Sequence, residues 1–156
     1  MRRFVLWLPL WTLFIGNASG ANNVRETTAR IGEMLTALKN ALQISNNIRV
    51  RIVESNHLGM SVEPTDPQKN SFLLSVDGGF VSGLDDEELA AALSHELGHV
   101  WIYTHHPFIH TESLANKIAA RAVTPAALKK LYAKVWVFEG ANGSMDQLLD
   151  SRLSLR

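Results

Sequence analysis

Asp85-Asp86-Glu87-Glu88-Leu89-Ala90-Ala91-Ala92-Leu93-Ser94-His95-Glu96-Leu97-Gly98-His99-Val100 reads as one capped helix that carries two histidines four residues apart. Residues four apart lie on one helical face, so His95 and His99 can offer their imidazoles to a single metal ion. Glu96 follows about 100° further round. That puts its carboxylate beside the metal without making it a ligand, where a base for metal-activated water belongs. Three fixed residues alone would arise by chance in roughly one chain in fifty of this length, so the surroundings must decide. Asp85 reads as the N-cap, and Glu88 three residues on completes a capping-box pattern. Asp86, Glu87 and Glu88 also sit where the helix dipole favours negative charge. Leu89, Leu93 and Val100 form one stripe with Leu97 beside it, and the histidines project a quarter to a third of a turn away. One face is thus anchored in a core while its neighbour presents the imidazoles.

Downstream, Thr104-His105-His106-Pro107 should end this helix near Tyr103, because proline cannot continue the hydrogen-bond ladder. Thr111 reads as the cap of a second helix running to Val123, with Leu114, Ile118 and Ala122 facing inward. Glu112 lies in its first turn. A short connection brings that carboxylate back toward the histidines, and two histidines plus a glutamate with one open position is the ligand count of a catalytic zinc site. Thr124-Pro125 starts a third helix through about Phe138, whose Val135, Trp136 and Phe138 are expected in the core. Gly140 to Gly143 reads as a loop, and Ser144 with Gln147 caps a short terminal helix. Asn142-Gly143-Ser144 fits a glycosylation acceptor, relevant in a eukaryotic source.

Upstream, Val24, Ile31, Met34, Leu35, Leu38 and Leu42 recur at helical spacing between Asn22 and Gln43. Ile48 to Val53 alternates with Arg49 and Arg51, which reads as a half-buried strand with a solvated basic face. Leu58 to Val62 suggests a second strand, Glu63 to Pro67 a turn, and Phe72 to Val76 a further strand followed by a turn at Asp77-Gly78-Gly79. That last strand is open to two readings, an edge strand bordering a cleft or an ordinary sheet strand. The expected fold is therefore α+β, with a small sheet packed against the histidine helix and the helix bearing Glu112.

The 156 residues fit one domain able to bury a core. Fifteen basic and fifteen acidic residues cancel, which gives no electrostatic case for a nucleic-acid partner. The absence of cysteine excludes disulfides, thiolate ligands and a lipidated cysteine. Arg2-Arg3, an apolar run from Phe4 to Ile15 and small residues at Ala18 and Gly20 read as a secretory signal over residues 1–20, leaving 21–156 as the mature domain. The run is too short for a stable membrane span. The expectation is export to a periplasm or medium, the alternative being an uncleaved N-terminal anchor.

Residues 85–128 resemble the active-site segment of gluzincin metallopeptidases, and the run from Asp85 to Val100 is similar to the HtpX-like and CAAX-prenyl-protease-like family. Glu112-Ser113-Leu114-Ala115-Asn116-Lys117-Ile118-Ala119-Ala120 also resembles the third-ligand helix of ImmA/IrrE-type metallopeptidases. The resemblance implies a minimal zincin-like domain in which His95, His99 and Glu112 bind Zn2+ and Glu96 is the general base. It covers about a third of the chain. Asn116 stands where the first family usually has an aspartate, keeping an acceptor oxygen but losing the charge that orients a ligand histidine. Only twelve residues separate His99 from Glu112, and no downstream histidine or arginine matches the oxyanion-stabilising residue of many relatives.

The expectation is a zinc metalloendopeptidase acting on peptide or protein substrates. The alternative is a weakly active or inactive zinc-binding protein of the same fold that binds a peptide or assists envelope assembly, and a third is a metal-free structural domain. Among remaining polar residues, His105, His106 and His110 are read as exposed, with a supporting or transition-state contact as the functional alternative. Tyr103 and Tyr132 are weaker oxyanion candidates, His57 reads as solvated, and Glu139 and Asp146 as weaker rivals for the third-ligand position.

Overall fold

The computed structural model describes residues 18–105 and 110–140. The expected signal segment up to residue 17, His106, Pro107, and the expected loop, glycosylation acceptor and terminal helix beyond Gly140 lie outside the described residues. The elements are α1 (Ala18–Ala41), β1 (Asn47–Val53), β2 (Met60–Pro64), β3 (Ser71–Asp77), α2 (Gly78–Ser82), α3 (Asp86–His105), α4 (Glu112–Ala119) and α5 (Pro125–Phe138). Helices and one small sheet share a single core, so the fold is α+β.

The sheet has the order β1-β3-β2, with β1 parallel and β2 antiparallel to β3. β3 is therefore the central strand, which resolves the open choice against an edge position. Its run Phe72-Leu73-Leu74 is buried on both faces, as a strand flanked on both sides requires. The strand beside the cleft is instead β2, which has no second partner strand among the described residues. β3 does not run into a turn at Asp77 but into the short helix α2. Asp77 accepts the Phe80 N–H at 2.9 Å through Oδ1 and the Asn56 N–H at 2.9 Å through Oδ2, capping the helix and tethering the preceding loop. These backbone donors, Phe80 foremost, hold the Asp77 carboxyl below its ordinary value against the opposing effect of burial. Gly59 turns the same loop at φ 73°, where a Cβ would also lie 2.7 Å from the Phe80 ring.

α3 is the central element. The expected capping box is complete, since Glu88 N–H donates to Asp85 Oδ1 at 2.8 Å and Asp85 N–H to Glu88 Oε2 at 3.0 Å. The helix is buried on more than the expected stripe, because Ala91, Ala92 and Ile102 join Leu89, Leu93, Leu97 and Val100 in the interior. It runs to His105, two residues past the expected end. α1 packs on it and buries Ile31 and Leu35 in the shared core, and Arg30 donates to Asp86 at the first turn of α3, while Val24 stays exposed.

Thr111 caps α4 by accepting the Leu114 N–H at 3.2 Å, as expected, but the helix stops at Ala119 rather than Val123. Thr124 must be extended, being both N-cap of α5 and the residue before Pro125, so residues 120–123 form the turn that redirects the chain. α5 ends at Phe138 as expected. Val135 packs against the core, whereas Phe138 is partly exposed against the Phe80 ring and Val137 is 76% exposed. The last turn of α5 leaves the interior, which places Phe138 outside the expected core.

Candidate metal centre

α3 and α4 meet at Gly98, where a Cβ would lie 2.4 Å from the Ala115 carbonyl oxygen. No other residue type permits that approach. The contact sets α4 against the histidine face of α3 and carries Glu112 to it. His95 Nε2 lies 3.1 Å from His99 Nε2 and 3.2 Å from a Glu112 carboxylate oxygen, whose partner oxygen is 3.5 Å from His99 Nε2. These residues form the group of donors that can hold a metal ion.

The far nitrogens of both rings have partners of their own. His95 Nδ1 is 2.8 Å from Asn116 Oδ1, an oxygen that can only accept, so Nδ1 carries the proton and Nε2 presents a lone pair. His99 Nδ1 is 3.0 Å from His110 Nε2. With that bond donated by His99, both histidines turn bare Nε2 atoms toward each other and toward a carboxylate. Such a triangle of donors could hold a metal ion. Donors on a tetrahedral ion with bonds of about 2.0–2.1 Å stand about 3.3–3.4 Å apart, close to the observed triangle.

The electrostatics agree. Burial opposes charge on His95, yet the Glu112 hydrogen bond and the Glu96 and Glu112 charges raise its pKa overall. Burial and the neighbouring His95 push His99 down to about 4. A proton on His95 thus disfavours one on His99.

Asn116 is fully buried, and its amide is held by the Tyr132 hydroxyl, 2.9 Å from Nδ2. It therefore performs the orienting hydrogen bond expected of a carboxylate, without the charge. His110 is exposed, as read from sequence, and also makes the supporting contact that was the alternative: it stacks on His99 with ring centroids 4.8 Å apart and contacts the Tyr103 ring. The sequence signal for it is its place immediately before the α4 cap, which fixes its distance from Glu112. His105 instead stacks on Trp101 and bonds its carbonyl oxygen at 2.9 Å, and His57 is exposed.

Glu96 is buried, and burial raises its carboxyl to about 7 despite the lowering influence of His95. The nearby Val62 backbone N–H works in the lowering direction, which puts the base beside β2. Base, donors and edge strand all face one cavity of about 320 Å3, lined by His95, Glu96, His99, His110, Glu112 and Tyr132 and also by Leu58, Met60, Phe80, Leu131, Val135 and Glu139. Glu139 stands outside the donor group, and Asp146 lies outside the described residues.

No protein-family model, curated protein or solved structure matches this chain. Among the described residues, no helix is long and apolar enough to cross a membrane.

Proposed function

We propose that this protein is an exported zinc metallopeptidase with a minimal zincin-like domain, related to the gluzincins. The observation that carries the reading is the triangle of bare donors from His95, His99 and Glu112 with the buried Glu96 carboxyl beside it in an open cavity. Two imidazoles and one carboxylate leaving a position open favour zinc over harder ions, which prefer all-oxygen sites. Bound zinc supplies Lewis acidity, polarising a scissile carbonyl and acidifying water.

The chain's own groups supply the rest. Glu96, with a carboxyl pushed up to about 7, is matched to taking a proton from water and returning it to the leaving amine near neutrality. Among the described residues β2 pairs only with β3, so its outer edge is where an extended peptide can pair as an added strand. Asn116 and His110 keep the two ligand rings turned with Nε2 inward.

The missing oxyanion partner and Asn116 are the sequence arguments for an inactive peptide-binding factor; the Asn116 hydrogen bond to His95 weakens the second and leaves the first in place. Residues 1–20 remain the proposed export signal, and a mature protein beginning at Ala21 is the expected product. The test of the activity is hydrolysis of an unfolded protein by the zinc-loaded chain and its Glu96→Gln variant. The variant is expected to keep zinc and lose at least about a hundredfold in rate. Equal cleavage by both, or none by either, rejects the peptidase reading.

A further inference from the structure

The cavity holds more acid than the proposed chemistry uses. Glu96, Glu112 and Glu139 line it, and among the described residues no lysine or arginine does. Glu112 belongs to the donor triangle and Glu96 to proton transfer. Glu139, the C-cap of α5, belongs to neither, and among the described residues it has no ion-pair partner.

Its position along the cavity follows from helical spacing. Leu131, Tyr132, Val135 and Glu139 form one stripe of α5 that faces the cavity. The stripe begins at the metal centre, where the Tyr132 ring centroid lies 6.1 Å from that of His95. Glu139 follows seven residues later, about 10 Å along the helix axis. The apolar residues that line the cavity include Leu131 and Val135 of α5, Met60 of β2 and Phe80 of α2. A carboxylate at the end of an apolar trough suits a side chain with a hydrocarbon stem and a cationic tip.

We propose that this trough is a specificity pocket for an arginine or lysine side chain of the substrate, with Glu139 pairing with its cation. The inference rests on the peptidase reading for the peptide nature of the occupant. A neutral apolar side chain would fill the trough but leave Glu139 without a partner, and an acidic one would meet a third negative charge.

The test separates the two claims by measuring binding apart from turnover. Fluorescent octapeptides carrying Arg, Lys, Leu or Glu at each position in turn on a fixed neutral frame are titrated into zinc-loaded Glu96→Gln protein. The same series is titrated into that protein with Glu139→Gln or Glu139→Lys added, while the parent chain is assayed for hydrolysis. Zinc content and melting temperature verify that each variant is folded. At one position, Arg and Lys peptides are expected to bind at least about tenfold more tightly than Leu. Glu139→Gln should abolish that preference without weakening the Leu peptide, and Glu139→Lys should favour Glu. Equal binding of Arg and Leu peptides at every position, a basic preference that survives Glu139→Gln, or no binding by any peptide overturns the proposal. A Glu139-dependent basic preference without hydrolysis upholds the pocket and rejects only the peptidase reading.

Discussion

At the scale of single residues, the histidines acquire their metal-binding form from groups behind them. Asn116 fixes the His95 tautomer from a fully buried position, so Asn116→Leu is expected to weaken zinc binding by about 10- to 100-fold, measured by competition with a chromogenic chelator. Asn116→Asp should retain or strengthen binding, and loss of affinity in both variants alike would show that Asn116 acts only through packing. Ser94 presents the opposite case, since its buried hydroxyl oxygen has no hydrogen-bond partner among the described residues. Ser94→Ala should therefore leave stability unchanged or raise it by up to about 1 kcal/mol in denaturant titration, and a clear loss would reveal a partner for that hydroxyl. The gathering of His95, His99 and Glu112 was legible from sequence because their placement follows from helical spacing and from a cap. The role of His110 was not, because loop residues carry no period to read. Asn116 was legible as an acceptor, but only the packing of α4 on α3 shows that it reaches His95.

At the scale of elements, the site depends on how closely α3 and α4 approach. Gly98→Ala sets a Cβ against the Ala115 carbonyl and must force the helices apart, costing about 1–3 kcal/mol of stability and displacing Glu112 and Asn116 from the histidines. Reduced melting temperature together with reduced zinc affinity is the expected outcome; a stable variant with full affinity would mean that the helix contact does not position the site. The sequence foretold the caps of α3, α4 and α5, since each is a local hydrogen bond between nearby residues. Strand order was not foretold, because which strand lies between two others depends on contacts distant in sequence. The close approach at Gly98 was missed for a similar reason, since a glycine inside a helix does not announce the backbone that packs against it.

At the scale of the whole molecule, two kinds of charge hold distant segments together. Asp77 ties the β3–α2 junction to the loop carrying Asn56, and its carboxyl titrates below the ordinary 3.8 in the folded state. Its stabilising contribution is therefore present above pH 3.8 and is lost as pH falls through the lower folded value. Asp77→Asn should lower stability at neutral pH and remove this part of the acid limb, measured by chemical denaturation between pH 2 and 7. An acid limb unchanged by the substitution would assign it to other groups. The second charge is the proposed zinc, which would clasp α3 to α4 and stabilise the fold by about 2.7 kcal/mol at a free concentration one hundred times its dissociation constant. The most direct measurement of the central claim is zinc per chain after exhaustive dialysis against metal-free buffer, for wild type and Glu112→Ala side by side. One zinc per wild-type chain and its loss from Glu112→Ala is the expected result. A wild-type chain without zinc, or a variant that retains a full equivalent, would contradict the metal centre formed by His95, His99 and Glu112.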